Sequence, residues 1–452
     1  MHDLALERIN RGQPLDSSRI TFNLFGCPDH FAVVNVDAAD IGAYFIRGSC
    51  GYGPSTSGPM RWQNISYRAH GQTGGGTTFV KLWGYNQGME FLDSKLDGNV
   101  DAWLPCNWGG NCGTVGFQVA QCSRDWTIRN NELDEMIVGL SVQASATGFC
   151  DGSDARTVDD IVFDRNRYTD SSGYWLDGIN IIALTDGGNS PSETSEDITI
   201  TNNFLSTDSY GTCLYYGTGN SGGPNPGTIT FAHNTCNGDL IRSGWSALYL
   251  DDTRTHKHQN WRIKNNIFSG NSAGDINVIT EWAPPGWDSD HNVFNPGSTF
   301  IWNDGSAGDL SSWQNSPGGD TSSSQCAPLH NNPASGDLHL QAADSCAPDQ
   351  GSMAEISEDI DGDLRPLGSG PDAGADEVSG GNTPPQVAID APGDGSSWEE
   401  TSMIGFSATA TDAEDGDLTA HLPWTSSIDG PIGTGGSPSA TLSIGTHVAT
   451  AL

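Results

Sequence analysis

Seven times between Phe91 and Phe294 the chain repeats one pattern: an alternating apolar strand, a fixed turn residue, and an apolar residue two positions further on. Typical copies read Trp126-Thr127-Ile128-Arg129-Asn130-Asn131-Glu132-Leu133 and Ile198-Thr199-Ile200-Thr201-Asn202-Asn203-Phe204-Leu205. The aligned turn residue is Ser94, then Asn131, Asn166, Asn203, Asn234, Asn266 and Asn292, at steps of 37, 35, 37, 31, 32 and 26 residues. A period of this size is one supersecondary unit per repeat, stacked so that neighbouring units bury a shared core.

The second half of each unit defines its class. Between the Asn turns lies another short alternating strand, as in Val80-Lys81-Leu82-Trp83, Phe117-Gln118-Val119-Ala120, Leu140-Ser141-Val142-Gln143, Ile179-Asn180-Ile181-Ile182, Leu214-Tyr215-Tyr216-Gly217, Leu248-Tyr249-Leu250-Asp251 and Ile276-Asn277-Val278-Ile279. Period-two alternation without a helical stripe reads as strand after strand. Several strands per turn with Asn at one corner describe an all-β solenoid, a parallel β-helix. Asn suits the corner because it tolerates the left-handed conformation and because stacked amides can form a ladder.

On these repeats residues 20–380 resemble the right-handed parallel β-helix proteins of the pectate-lyase-like fold. The earliest coil is expected at residues 31–67. The segments Asp359-Ile360-Asp361-Gly362-Asp363-Leu364-Arg365-Pro366 and Asp372-Ala373-Gly374-Ala375-Asp376-Glu377 look like the closing segment of secreted bacterial members. The resemblance implies a fold that hosts polysaccharide lyases, glycoside hydrolases, epimerases and adhesins, so function must come from the site. The expected organisation is an N-terminal extension (1–20), the β-helix with its closing segment (21–378), a linker (379–385) and a second module (386–452). That module's strands, its core of Trp398 and Trp424, and the run Thr411-Asp412-Ala413-Glu414-Asp415-Gly416-Asp417 resemble immunoglobulin-like modules of bacterial surface proteins. Such a module would still owe its final strand at Leu452 and reads as truncated. Asp412, Asp415 and Asp417 offer hard oxygen ligands for calcium, with a solvated turn as the plainer reading.

Nineteen basic against 56 acidic residues give a net charge of −37, which disfavours nucleic acid or anionic membranes as partners. It also disfavours a bare polyanion unless metal ions or local basic groups offset the field. No apolar run reaches the length of a membrane span, and the first residues lack the pattern of an export signal, so the start reads as trimmed. The ten cysteines fall in sequential couples, Cys27 with Cys50, Cys106 with Cys112, Cys122 with Cys150, Cys213 with Cys236 and Cys326 with Cys346. Even, local spacing implies disulfides and a secreted or cell-surface location. A buried free thiol at Cys236 is the competing reading for the fourth couple, and zinc at Cys106 and Cys112 lacks a nearby His.

Long insertions follow the second strand of successive units and are expected to wall a groove. One outward column on that face reads Lys81, Gln118, Ser141, Asn180, Tyr215, Tyr249 and Asn277, and the next reads Trp83, Ala120, Gln143, Ile182, Gly217, Asp251 and Ile279. With Trp282 in an insertion, these amides, hydroxyls and aromatic faces suit sugar rings, and an ordinary wet sheet face is the plainer alternative. For hydrolysis, Asp251 and Glu281 on adjacent coils would stand roughly 8 Å apart, leaving room for a water between acid and base. For a lyase, Arg254, His256, Lys257, Tyr249 and Lys81 offer a carboxylate neutraliser and a base. The expectation is a monomeric extracellular polysaccharide-binding protein that cleaves its ligand as a lyase or hydrolase. The alternative is a non-catalytic adhesin on the same scaffold.

Overall fold

A computed structural model of the chain describes residues 2–7, 20–25, 31–41, 44–49, 60–69, 77–83, 86–99, 114–120, 122–144, 158–169, 179–186, 195–207, 211–218, 225–238, 247–251, 258–269, 276–279, 286–302, 305–315, 319–352, 356–378, 385–412 and 416–451. The chain divides into two compact units, Met1–Val378 and Ser379–Leu452.

The larger unit is a parallel β-helix with three walls. Strands that precede each turn residue, from Phe31–Ile41 through Arg124–Arg129 and Ser195–Thr201 to Trp287–Asp290, stack in register as the first wall. Short strands that follow it, such as Glu132–Asp134, Arg167–Thr169 and Thr235–Gly238, stack as the second, and together they form one 18-stranded sheet. The third wall is an 11-stranded sheet running from Ile20–Phe25 through Thr77–Trp83, Thr114–Ala120, Val138–Ala144, Ile179–Asp186, Gly211–Thr218 and Leu248–Asp251 to Phe300–Trp302 and Gly305–Gly308. Parallel pairing begins ahead of residue 21, since His2–Glu7 pairs with Phe31–Ile41.

Inward positions form like-on-like columns. One runs Phe91, Ile128, Phe163, Ile200, Phe231 and Ile263; another runs Val80, Phe117, Leu140, Ile182, Leu214 and Leu248. All are at most 1 % exposed, so a parallel stack converts the alternating sequence into a continuous apolar lumen. Aromatic rings fill its N-terminal half, with Phe79, Phe91, Phe117 and Trp126 in successive contacts of 5.2 to 6.5 Å. Cys213 on the third wall and Cys236 on the second are joined by a disulfide across this lumen, with α-carbons 6.2 Å apart. Cys326 and Cys346 form another at 5.7 Å, and Cys122 is also disulfide-bonded. Cys27, Cys50, Cys106, Cys112 and Cys150 lie outside the described residues.

The turn asparagines stack as expected. Each side-chain amide donates to the carboxamide oxygen of the next coil's Asn, at 2.9, 3.2, 2.9, 3.2 and 3.0 Å from Asn131 to Asn292. The same oxygens accept backbone N–H groups, and each amide donates again to a first-wall carbonyl, as Asn203 does to Phe163. Ser94 ends the ladder on one side, where its N–H donates to Asn131. On the other side Asn292 donates to the buried carboxylate of Asp320, which also accepts from Trp313 Nε1, and the Asn292 N–H donates to Ser323. The ladder asparagines, contrary to expectation, are not the left-handed residues of the corner. The left-handed residue is the one before each ladder position: Asp93, Asn130, Arg165, Asn202, His233, Asn265 and His291 have φ between 52° and 57°. Ladder positions therefore select an amide, and the preceding positions only tolerate strain.

The closing segment covers the second wall. Asp359 accepts the N–H groups of Asp361, Gly362 and Asp363 with one oxygen and that of Glu377 with the other. Arg365 and Glu377 form a buried ion pair at 2.6 Å. Gly374, at φ +94°, donates to the Asn265 carbonyl where a Cβ would strike Ile267 at 2.6 Å. At its edge Asp361 pairs with Arg167 of the second wall at 2.6 Å, and His339 donates to Asp361 at 2.8 Å and to Asp337. These carboxylates raise the His339 pKa to about 9.

The smaller unit is an antiparallel β structure with its own core of Ile404, Phe406, Ala408, Ala410, Leu422, Trp424 and Ala451. Trp424 is buried, but Trp398 is 46 % exposed and so is not a core residue. It follows the exposed strand Gln386–Ala391 in a stretch without strand pairing, so alternation could not place it.

Two outcomes are expected. Asn131→Ala strands several buried donors and acceptors and should lower stability by about 3 kcal/mol in chemical denaturation. Asn130→Gly, at the adjacent left-handed position, should stay within about 0.5 kcal/mol of the parent; equal losses would contradict the division of roles. For His339 the folded pKa lies above the unfolded value of about 6.5, so its contribution is complete below that value and fades as pH rises through about 9. Thermal midpoints should therefore fall less steeply for His339→Gln than for the parent between about pH 6 and about pH 10. Parallel curves would rule out the charged pairing.

Candidate functional site

Outward positions of the third wall form two ordered columns. Strand register gives one as Asn23, Arg47, Lys81, Gln118, Ser141, Ala183, Tyr215, Tyr249 and Asn277. The neighbouring column places Trp83 opposite Ser49, and further along runs Ala120, Gln143, Thr185, Gly217, Asp251 and Ile279. For Trp83, Asp251 and Asn277 the structure describes the backbone position.

Asn180 and Ile182 do not belong to these columns. Ile181 and Ile182 are both fully buried, so strict alternation breaks and the register shifts by three. Ala183 and Thr185 occupy the outward positions, Ile182 faces the lumen opposite Leu140 and Leu214, and Asn180 pairs with Thr212, whose hydroxyl donates to it at 2.9 Å.

Side chains along the columns interact across coils. The rings of Tyr215 and Tyr249 are stacked, with centroids 5.9 Å apart and planes 12° from parallel. Gly217 makes this pose possible, because a Cβ there would lie 2.6 Å from the Tyr215 hydroxyl oxygen and 2.8 Å from Cε1. The Tyr215 ring therefore leans along its own strand over position 217. Gln118 donates to Gln143 at 2.9 Å, linking the two columns. Lys81 is half-buried; burial first, and then the neighbouring Arg47, hold its pKa below the usual lysine value. Arg47 lies over the ring of Tyr44, 4.9 Å from its centroid. Sequence reasoning missed Arg47 and Tyr44. The signal was the same alternation in the earliest coil, where both residues share the strand Tyr44–Ser49.

Glu281, Trp282, Arg254, His256 and Lys257 lie outside the described residues. His258 begins a first-wall strand opposite Asn225. In the smaller unit Asp415 also lies outside the described residues, Asp412 pairs with Gly416, and Asp417 accepts the Thr419 N–H at 2.9 Å as a turn cap.

Two other groups of side chains bring three ligand-type atoms within 4.8 Å among the described residues. Asp159, Asp160 and Asp197 gather at the start of first-wall strands, where partial burial and mutual repulsion raise Asp159 and Asp160. His339, Asp361 and Asp376 form the second group, in which both ring nitrogens already serve the ion pairs described above. No described helix is long and apolar enough to cross a membrane. Comparison with protein-family models, curated proteins and solved structures gives no match.

Gly217→Ala should displace the Tyr215 ring. Near-UV circular dichroism is expected to change in this variant but not in a control Gly393→Ala, made in the smaller unit where a Cβ would meet only the Ser396 hydroxyl oxygen at 3.8 Å. Identical spectra for parent and Gly217→Ala would mean that the ring does not depend on that space.

Proposed function

We propose that this protein is an exported polysaccharide-binding protein whose ligand lies along the outward face of the third wall, across the strands, and is cleaved there. The stacked pair Tyr215 and Tyr249 carries this reading. A sugar ring offers an apolar C–H face and a rim of hydroxyls. Two parallel aromatic faces in one column with Gln118 and Ser141, beside Gln143 and Thr185 in the next, meet both requirements. Coils repeat at about 4.8 Å, close to the length of one sugar unit, so successive units of a glycan can meet equivalent positions on successive coils. The disulfides fit an oxidising, extracellular setting. The smaller antiparallel unit fits an immunoglobulin-like surface module.

Asp251 stands in register with Gly217, one column from the Tyr249 ring, which puts a carboxylate-bearing position beside the sugar platform. Hydrolysis would pair it with Glu281 as acid and base. Elimination would instead draw on Arg254, His256 or Lys257 to neutralise a uronate and remove its proton.

The test is incubation with a panel of neutral and uronate polysaccharides, reading binding and products separately. Tyr215→Ala and Tyr249→Ala should each weaken binding by about tenfold, or ~1.4 kcal/mol. New reducing ends without unsaturation would identify a hydrolase, and unsaturated uronate products a lyase. Asp251→Asn should abolish hydrolysis while retaining binding; full activity in that variant would move the chemistry to the residues from Arg254 to Lys257. Binding that survives both tyrosine variants would remove the third wall as the site.

A further inference from the structure

Buried carboxylates cluster in and around the closing segment, and nearly all are fully satisfied. Asp344, Asp359, Asp372 and Glu377 are each buried and each receive hydrogen-bond donors at both oxygens. Asp376 is the exception. It is 6 % exposed, its Oδ2 accepts the Leu340 N–H at 2.7 Å, and its Oδ1 accepts nothing among the described residues. The carboxylate lies beside His339 and Asp361, with one ligand-type atom of each of the three within 4.8 Å of the others. Burial pushes the Asp376 pKa up to about 6, so its charge is incompletely met where it stands.

The imidazole is held as metal-binding imidazoles are. Nδ1 faces Asp337, which fixes the ring's orientation, and Nε2 points at Asp361 Oδ2 at 2.8 Å. Phe204 packs edge-on against the ring with centroids 4.8 Å apart. Asp361 turns its other oxygen to Arg167 at 2.6 Å. A proton alone does not balance these charges. Asp337, Asp361 and Asp376 bring one negative charge each against the single positive charge of Arg167. A proton on Nε2 cancels only part of the remainder, whereas a divalent cation on a neutral imidazole cancels all of it. The group of Asp159, Asp160 and Asp197 differs in both respects, having neither an imidazole nor a buried member.

We propose that His339 Nε2, Asp361 and Asp376 bind a divalent cation of the zinc class, which clamps the closing segment to the strand Asp337–Leu340. The ion takes the place of the proton that otherwise joins Nε2 to Asp361. An imidazole with two carboxylates suits zinc, whereas calcium and magnesium favour oxygen ligands throughout. Three protein ligands leave one tetrahedral position for water. Ligand atoms around such an ion stand about 3.4 Å apart, so Nε2 and Asp361 need to separate by only about 0.6 Å. The ligands come from a strand, the turn after Asp359 and the end of the closing segment, and Arg167 links them to the second wall.

The test strips the full chain with a chelator and titrates it separately with Zn²⁺, Ca²⁺ and Mg²⁺ by calorimetry. Thermal midpoints of the chelated proteins confirm folding. The parent should bind one zinc ion more than His339→Gln or Asp376→Asn, and about tenfold more tightly than it binds calcium or magnesium. Zinc at a hundredfold excess over its Kd should raise the parent's thermal midpoint by about 3 °C. Asp337→Asn leaves all three ligands in place and should weaken zinc binding about tenfold, through loss of the carboxylate that orients the ring. X-ray absorption of the zinc-loaded parent should show one imidazole with oxygen donors, and this reading stands even where a ligand variant fails to fold. A zinc shell containing sulfur or several imidazoles overturns the proposal. So does zinc binding that persists unchanged in His339→Gln and Asp376→Asn, a preference for calcium or magnesium, or the lack of saturable binding. Each of these results leaves a protonated His339 as the sole link to Asp361.

Discussion

Everything in the larger unit depends on one buried row of amides. Parallel strands pair wherever hydrogen bonds allow, and a slip of one residue would turn the apolar lumen outward. The ladder from Asn131 to Asn292 prevents this, because each carboxamide must find the next coil's amide and N–H at a single corner. Ser94 at one end and Asp320 with Ser323 at the other satisfy the terminal groups, so no buried amide is stranded. Fixing that corner fixes the strands on both sides of it, and through them the order of the third wall.

The fold was legible because its constraint repeats. An obligatory amide every 26 to 37 residues, flanked by alternating apolar positions, survives variation in loop length. The local conformation was less legible. Asn occupies both the ladder and several of the left-handed positions before it, and only Asp93, Arg165, His233 and His291 distinguish the two roles. The candidate site was legible where alternation is strict, as at Lys81, Gln118, Tyr215 and Tyr249. It failed at Asn180, where consecutive buried Ile181 and Ile182 shift the register without changing the apolar pattern. Pairs formed by register across coils, such as Arg47 with Lys81, are visible only once each coil has been aligned with the next. Trp398 and Trp424 illustrate a further limit: both are large and apolar, and only strand pairing decides which one is enclosed.

Division of labour among the walls follows from what covers them. The second wall lies under the closing segment, through Asn202, Thr235 and Asn265. On the first wall, basic side chains of several outward columns are tied to carboxylates of adjacent coils. The third wall presents amides, hydroxyls and a stacked tyrosine pair in register. Repetition that builds the core thus also builds a surface with one side chain per coil in each column.

The most direct measurement is a crystal structure of the protein with a bound oligosaccharide. The account predicts sugar density running across the strands of the third wall, with a ring over Tyr215 or Tyr249 and the chain continuing over Ser141 and Gln118 towards Lys81. Density on the first wall, on the closing segment or in the smaller unit, with the third wall bare, would contradict it.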